Sequence, residues 1–319
     1  MSGTRPRYAP PDASRSPRFT GPRTFARLPQ VALPSDGVDA SIIGIPFDTA
    51  TSFRTGARFG PEAIRSASAL LRPYHPGLDV QVFGALSAVD GGDLVITPGN
   101  AQRSAEQIAS GLGAVARAGI VPVVLGGDHS IVLGELRAHA AVHGPVGLVL
   151  LDAHADTWDQ YYGERYFHGT PFRRAVEEGV LDPSRSLLAG MRGSLYSRAD
   201  LEAPLELGFE VISGEELPTL APERYADRVR TRVGSGPVFM SFDIDVLDPA
   251  FAPGTGTPEA AGLYPREALA LLRALAGIGF CGFDVVEVSP SYDAPGQVTA
   301  LNAAAVAYEM LALVAAARR

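Results

Sequence analysis

Short apolar runs alternate with longer amphipathic stretches from about residue 39 onward. Runs bounded by glycine, proline and polar residues predict buried strands, and stretches with apolar residues at 3.6-residue spacing predict helices. This alternation is typical of a mostly parallel sheet covered by helices. The eight predicted strands span residues 40–45, 80–86, 120–125, 146–151, 186–189, 209–212, 238–242 and 279–288. The predicted helices span residues 61–71, 100–118, 131–143, 171–178, 221–232, 265–275 and 300–318.

The domain organisation follows from the absence of a linker or an internal repeat in the sequence. We expect one domain over residues 31–319. Residues 1–30 are rich in proline and arginine and predict an irregular N-terminal arm, either loose or packed on a neighbouring subunit. The arm has no apolar segment of the kind found in secretory signals. No run approaches the roughly 18 to 20 apolar residues of a membrane span, so we expect no membrane partner.

Composition excludes several classes of protein. All 27 basic residues are arginines, against 35 acidic residues, and the net charge is -8. Nucleic-acid binding requires clustered cations for phosphate contacts, and the sequence has no basic stripe, so we expect no nucleic-acid partner. The single cysteine, Cys281, excludes a disulfide scaffold or a zinc site built from cysteines. A reducing cytoplasm suits this composition, and we expect a cytoplasmic protein.

Charged clusters occur at the carboxyl ends of four predicted strands. They are GGDHS (126–130), DAHAD (152–156), FDIDVLDP (242–249) and DVVEVSP (284–290). In open parallel sheets, functional sites form in the crevice beyond these strand ends. Residues i and i+2 of a strand share a face. We therefore expect Asp152 and His154 to converge on one point, as should Asp243 and Asp245.

Six of these groups together predict a metal centre: His129, Asp152, His154, Asp156, Asp243 and Asp245. Four carboxylates and two imidazoles without a cysteine form a hard donor set, which suits manganese better than zinc or copper. The set is too large for one ion. Two divalent ions held by bridging aspartates would lie about 3.5 to 4 Å apart, and a water between them would be acidified into a nucleophile.

Single residues of these types often have structural roles. A single Asp or His after a strand is usually a turn former or a helix cap, but six at matched strand ends are not explained in that way. We assign Asp128 as a helix cap. His139 and His143 lie on a predicted amphipathic helix, where we expect a solvated surface. His75 has no partners in the sequence, and the segment 254–257 (GTGT) lacks the lysine of a phosphate loop.

The motifs carry a resemblance to a known family. GGDHS, DAHADTWD, HGTPFRR (168–174), SFDIDVLDPAFAPGTGTPE (241–259) and DVVEVSPSYD (284–293) resemble those of the ureohydrolase superfamily, and the agmatinase branch is most similar. GARFGPEAIR (56–65) and PRFTGPRTFARLP (17–29) extend the match over nearly the whole chain. The resemblance implies a three-layer α/β/α catalytic domain with a central eight-stranded, mostly parallel sheet. It also implies two Mn²⁺ ions per subunit and assembly into a homo-oligomer, a trimer or a hexamer.

The resemblance also implies a role for each matching residue. One ion would be held by His129, Asp152, Asp156 and Asp243, and the other by His154, Asp152, Asp243 and Asp245, so that Asp152 and Asp243 bridge. His168 matches a proton shuttle, and Glu287 matches the carboxylate that pairs with the substrate guanidinium. Asp156 would also orient the reacting group. Nickel or cobalt could occupy the same ligands.

The expected activity is hydrolysis of a guanidino compound to urea and an amine. Agmatine, giving putrescine, is the leading substrate. A guanidino acid, 4-guanidinobutanoate or 3-guanidinopropanoate, is the alternative, and formiminoglutamate is a more distant one. A non-catalytic scaffold or regulatory subunit would be expected to lose at least one of the six ligands, and all are present. A deacylase on the related deacetylase fold would normally use one zinc ion and fewer aspartates.

The segment 157–167 (TWDQYYGERYF) is expected to lie at the mouth of the site and to contact the far end of the substrate. Its aromatic and acidic residues could hold an ammonium group through cation–π and charge contacts. Arg165 could instead pair with a carboxylate through two hydrogen bonds. Arginase-like enzymes recognise arginine's α-amino and α-carboxylate groups through small polar side chains, whereas this segment is aromatic and mixed in charge, so we expect arginine to be a poor substrate.

Overall fold

The structure, a computed structural model, describes residues 6–318, and its centre is an eight-stranded sheet. The strands of the chain are β1 Ala40–Gly44, β2 Tyr74–His75, β3 Val80–Gln81, β4 Ala88–Asp93, β5 Val121–Leu125, β6 Gly147–Leu151, β7 Leu187–Met191, β8 Glu210–Ser213, β9 Val238–Asp243 and β10 Phe280–Val286. Across the main sheet the order is β4-β1-β5-β10-β9-β6-β7-β8, and every neighbouring pair is parallel. Strands β2 and β3 form a separate antiparallel pair.

Helices cover both faces of the sheet. They are α1 Gly60–Ala67, α2 Val82–Ala85, α3 Ala101–Arg117, α4 Val132–His143, α5 Pro171–Glu177, α6 Ala199–Glu206, α7 Pro222–Val233, α8 Pro265–Ala274 and α9 Val298–Ala316. On β6, Leu148 and Leu150 pack with α4 and α5, whereas Val149 and Leu151 pack with α7, α8 and α9. Both faces of this strand are buried, which explains why its sequence is apolar throughout. The predicted three-layer α/β/α fold is confirmed.

The predicted strand at residues 80–86 is wrong. Only its first two residues are extended, in β3, and the rest form the short helix α2. The eighth strand of the main sheet is instead β4, at its edge, and the sequence did not predict this strand. Its sequence AVDGGD contains glycine and aspartate, which are depleted in strands. The structure compensates the charge, because Arg65 of α1 donates from Nε to Asp90 Oδ2 at 2.8 Å.

The N-terminal segment packs against its own chain where it approaches the domain. Residues 6–24 contain turns and bends, and a short turn at Phe25–Arg27 then brings Phe25 and Leu28 into the core. The backbone N–H of Phe25 donates to Asp90 Oδ2 at 2.8 Å. The last part of the expected arm therefore packs on its own chain, and the proposed contact of the arm with a neighbouring subunit stays a prediction.

Helix α9 corrects one statement made from composition. An 18-residue window of this 19-residue helix has a mean hydropathy of 1.6, so by length and composition alone one segment is apolar enough to cross a membrane, contrary to the expectation. Of this window, 78% is buried inside the fold. Its buried Glu309 accepts a hydrogen bond from Arg273 Nε at 2.9 Å and lies 2.8 Å from His75 Nε2. His75 thus has partners that the sequence did not reveal.

Candidate active site

The predicted site residues are brought together at one edge of the sheet. They follow or end four strands, β5, β6, β9 and β10, which are neighbours in the order β5-β10-β9-β6. Because these strands are parallel, their carboxyl ends open on the same side. A crevice at this edge is where ligands bind in open α/β sheets.

A first cluster surrounds the imidazole of His129, which is fully buried. His129 Nδ1 lies 3.1 Å from Asp152 Oδ2, 2.9 Å from Asp156 Oδ2 and 3.3 Å from Asp243 Oδ2. Three carboxylates and one ring nitrogen therefore converge on one point. This is the group of four residues expected to hold the first ion.

A second cluster surrounds His154, which is partly exposed. His154 Nδ1 lies 3.1 Å from Asp245 Oδ2 and 3.5 Å from Asp152 Oδ1. Asp152 therefore presents one oxygen to each histidine, as a bridging ligand must. Asp243 presents only Oδ2 to His129, while its Oδ1 accepts the backbone N–H of Asp245 at 2.9 Å.

Hydrogen bonds fix which nitrogen of His129 can bind a metal. Ser241 Oγ donates to Asp284 Oδ1 at 2.7 Å, so this hydroxyl accepts the proton of His129 Nε2, at 2.9 Å. A histidine ligand is usually oriented by such a bond to its other nitrogen. In the neutral ring this bond leaves Nδ1, which faces the carboxylates, as the nitrogen with a free lone pair for a metal ion. Without a metal ion, burial lowers the pKa of His129, but the carboxylates of Asp152, Asp156 and Asp243 outweigh this effect and raise it.

The electrostatics of the clusters favour bound cations. Burial raises the pKa of Asp243 well above its usual value, and the neighbouring carboxylates of Asp245 and Asp152 raise it further, although His129 opposes this. Burial and Asp152 likewise raise the pKa of Asp156. Packing four carboxylates together is costly unless positive charge compensates them. The donor atoms present therefore fit two divalent metal ions.

His168 and Glu287 form a buried pair beside the two clusters. His168 Nδ1 lies 2.9 Å from Glu287 Oε1. Ser52 donates its backbone N–H to His168 Nε2 at 3.0 Å, and its hydroxyl lies 2.7 Å from the same nitrogen. Nδ1 therefore carries the proton that Glu287 accepts. Burial lowers the pKa of His168, but the carboxylates of Glu287, Asp156 and Asp128 together outweigh this effect and the net shift is upward.

Glu287 keeps one oxygen free. Oε1 accepts hydrogen bonds from the backbone N–H of His129, at 2.9 Å, and from the His168 ring. The buried Oε2 has no hydrogen-bond partner among residues 6–318. A Cβ at Gly256 would lie 3.3 Å from Oε2, so any side chain at this position would crowd it. Both Glu287 and Asp156 have positive φ angles, +61° and +49°. Such backbone strain in residues other than glycine clusters at functional sites.

A cavity of about 740 Å³ opens onto the clusters. Its inner wall includes His154, Asp156, His168 and Asp243. Its outer part is lined by aromatic rings from residues 157–167 and from the loop after β7. The volume falls in the range of small-molecule sites, which have a few polar groups on a largely apolar wall.

Other candidates from the sequence have mixed outcomes. Asp128 is a helix cap as predicted, because its side chain accepts the backbone N–H of Ser130 at 3.1 Å. The expectation that His139 is solvated is wrong, since it is fully buried and packs 5.5 Å from the Phe239 ring, while His143 is exposed. Arg165 is bound to Glu177 at 2.8 Å and is not among the residues that line the cavity.

Three residues of the site were missed from the sequence. Ser52, which holds His168, comes from the loop after β1, and Ser241 and Asp284, which orient His129, lie inside β9 and β10. Burial raises the pKa of Asp284 to about 6. The serine of SFDID and the first aspartate of DVVEVSP stand in the quoted motifs, and their position within a buried strand was the available signal.

Known proteins match the chain over most of its length. The model of the arginase family matches residues 38–312. A mitochondrial agmatinase of Gallus gallus is 45% identical over 307 residues, covering 96% of this chain and 89% of the relative. A guanidinobutyrase of Pseudomonas aeruginosa is 43% identical over 309 residues, covering 96% and 97%. The solved proclavaminate amidino hydrolase of Streptomyces clavuligerus has a TM-score of 0.90 at 42% identity, covering 95% and 100%.

The chain belongs to the arginase family. The ureohydrolase resemblance seen in the sequence is thereby confirmed, and so is the predicted enzymatic class, a hydrolase of C–N bonds in guanidino compounds. The fold of this family binds a binuclear metal site, and the two clusters of histidine and aspartate supply the groups for it. The assignment of each residue to one ion stays a prediction.

Proposed function

We propose that the protein is a binuclear manganese amidinohydrolase that cleaves agmatine to urea and putrescine. The observation that carries this proposal is the convergence of two metal-binding clusters, joined by Asp152, beside a His168–Glu287 pair with one free carboxylate oxygen. Relatives named for agmatine and for guanidino acids are almost equally similar to the chain, so identity alone does not select a substrate.

Manganese is proposed on the chemistry of the donors. His129, Asp152, Asp156 and Asp243 would hold one ion, and His154, Asp152, Asp243 and Asp245 the other. Four carboxylates with two imidazoles suit this ion better than softer metals. When bound, such an ion pair supplies an acidified water as nucleophile and polarises the carbon it attacks.

Residues of the chain do the rest of the chemistry. Glu287 Oε2 binds the substrate guanidinium, and Asp156, which lines the cavity, orients it for attack. The water oxygen bonds to the guanidinium carbon, and the bond from this carbon to the alkyl nitrogen breaks. Because Glu287 keeps a proton on Nδ1 of His168, Nε2 is the nitrogen that takes up the proton lost by the attacking water and then delivers it to the leaving amine.

The outer cavity favours a cationic end of the substrate. Trp158 stacks on Tyr161 with ring centroids 4.8 Å apart, and Tyr196 lies 5.8 Å from Trp158. Aromatic faces attract cations. The carboxylate of Glu259, which also lines the cavity, has no hydrogen bond or ion pair among residues 6–318. It is available for the ammonium group of agmatine.

A guanidino acid is the second candidate, and Arg54 is the observation that favours it. Arg54 lines the same cavity, and its guanidinium lies over the rings of Tyr292 and Phe53, 5.1 and 5.5 Å from their centroids. It forms no ion pair with a carboxylate in the described part of the chain. A distal carboxylate could bind there.

Measurement of kcat/KM for urea release from agmatine, 4-guanidinobutanoate and arginine distinguishes the two candidate substrates. We expect agmatine to be the best substrate and arginine the poorest. Glu259→Gln should reduce the ratio of agmatine to guanidinobutanoate by about tenfold, and Arg54→Gln should raise it by a similar factor, since a charged hydrogen bond contributes about 1.5 to 3 kcal/mol. Preference of the wild type for the guanidino acid would overturn the choice of agmatine and leave the metal chemistry intact.

Assembly and location are proposed on the sequence resemblance and composition. We propose a cytoplasmic homo-oligomer, a trimer or hexamer. Light scattering of the purified protein at several concentrations tests the assembly, and a monomer at all of them would contradict it.

A further inference from the structure

The loop after β7 contains an arginine whose hydrogen bonds all go to backbone carbonyls. Arg192 Nη2 donates to the carbonyl oxygens of Asp245 at 2.7 Å, Glu259 at 2.8 Å and Leu247 at 3.3 Å. Nε donates to Ala260 O at 3.0 Å, and Nη1 to Val246 O at 3.2 Å and to Gly190 O at 3.4 Å. No carboxylate pairs with Arg192 among residues 6–318.

Five of these six carbonyls belong to two segments of the chain, and the sixth, Gly190 O, lies in β7. One segment, residues 245–247, contains the ligand Asp245. The other reaches the same ligand, because Thr257 Oγ1 lies 3.5 Å from Asp245 Oδ2, and it continues to Glu259 and Ala260. A single planar guanidinium therefore ties the backbone of the ligand to the wall of the cavity.

The surroundings of Arg192 are shaped to hold it. A Cβ at Gly262 would lie 2.5 Å from Arg192 Nη2, and a Cβ at Gly214 would lie 2.8 Å from Arg192 Cβ. Glycine at both positions leaves the space that the side chain fills. Burial lowers the pKa of Arg192, but an arginine stays charged because its usual pKa is so high.

A lysine at position 192 could not form the same set of hydrogen bonds. Arginine has five N–H donors in a fixed plane, whereas lysine has three donors on one atom. The carbonyls bound by Arg192 come from residues 245–247, from residues 259–260 and from Gly190, and they are shared among all three of its nitrogens, so one ammonium group could reach only a part of them.

We propose that Arg192 is a positioning residue that holds Asp245 in place and thereby sets the affinity of the metal site formed by His154, Asp152 and Asp245. The proposal rests on the two-metal site of the proposed function. Among residues 6–318, Arg192 forms no hydrogen bond or ion pair with His129 or Asp156. Its loss should therefore weaken one of the two ions and spare the other.

The test is a Mn²⁺ titration of metal-depleted protein, followed by calorimetry and by metal analysis after dialysis. Wild-type protein should bind two ions per chain. In Arg192→Met the ion near Asp245 should bind about 10- to 100-fold more weakly, the usual effect of losing a group that orients a ligand. The other ion should bind as before, and excess Mn²⁺ should restore urea release.

Two further variants separate positioning from charge and from general stability. Arg192→Lys keeps the charge, so it should show the same selective loss if geometry matters, and it provides the test if Arg192→Met does not fold. Arg232 also binds backbone carbonyls, with Nε 3.1 Å from Ser186 O and Nη2 2.9 Å from Pro183 O, just before β7 begins and so at the edge of the sheet opposite the site. Arg232→Met should lower Tm without changing either metal affinity.

Normal affinity for both ions in the two Arg192 variants would overturn the proposal, and so would equal weakening of both ions. Either result would leave the proposed function standing, provided that the wild type binds two ions and releases urea. A wild-type protein that binds fewer than two ions would instead count against the proposed function itself.

Discussion

Asp152→Asn is expected to reduce urea release by about 10³-fold or more, beyond the 10²- to 10³-fold cost of losing a single stabilising donor. The reason is that Asp152 serves both clusters, with Oδ2 3.1 Å from His129 Nδ1 and Oδ1 3.5 Å from His154 Nδ1. An amide is a weaker ligand and has only one oxygen. Both ions should therefore be lost or displaced, as measured by metal content and urea release on the same samples.

Asp245→Asn is the matched control for this prediction. Its carboxylate faces only His154, at 3.1 Å, so one ion should be retained and the loss of activity should be smaller. We expect Asp243→Asn to resemble Asp152→Asn, as a bridging role requires. Metal content near two per chain with normal turnover in Asp152→Asn would contradict the bridging assignment.

His168→Asn is expected to lower kcat by about 10²- to 10⁴-fold, the usual range for a general acid or base. The metal content should stay at the wild-type level, because His168 binds Glu287 and Ser52 and not the clusters. Single-turnover urea release measures the chemical step. Metal analysis of the same preparation distinguishes a role of His168 in proton transfer from a role as a metal ligand.

Ser52→Ala is a second variant that changes the surroundings of His168 but keeps the imidazole. It removes the hydroxyl 2.7 Å from His168 Nε2 but keeps the backbone N–H at 3.0 Å, so its effect should be much smaller than that of His168→Asn. Loss of metal in His168→Asn would make His168 a ligand and contradict its role in proton transfer.

The sequence predicted the convergence of the charged side chains better than it predicted the edge of the sheet. Aspartate and histidine at the ends of apolar runs identify strand ends directly, because a buried strand followed by charge has few structural explanations. Strand β4 was missed because its glycines and aspartates are unfavourable in strands unless Arg65, distant in the sequence, compensates Asp90. Residues 80–86 were apolar enough for a strand, yet they turn into α2.

The burial of His139 is a second feature that the sequence did not predict. It lies on α4, which packs against α3, α5 and β10, so more than one face of this helix is buried. A Cβ at Gly282 would lie 2.3 Å from His139 Nε2, so a glycine in a different strand makes room for the ring. Burial lowers the pKa of His139 to about 4, which keeps it neutral. Such a contact depends on tertiary packing, and helical periodicity alone could not predict it. Ser52 and Arg192 were missed for the same reason.

The central claim is that two metal ions together generate the nucleophile, and metal removal tests it most directly. Protein exhaustively treated with a chelator should release no urea from agmatine, and stepwise addition of Mn²⁺ should restore release only as the second ion binds. Full activity in metal-free protein, or full recovery with a single ion per chain, would contradict this account.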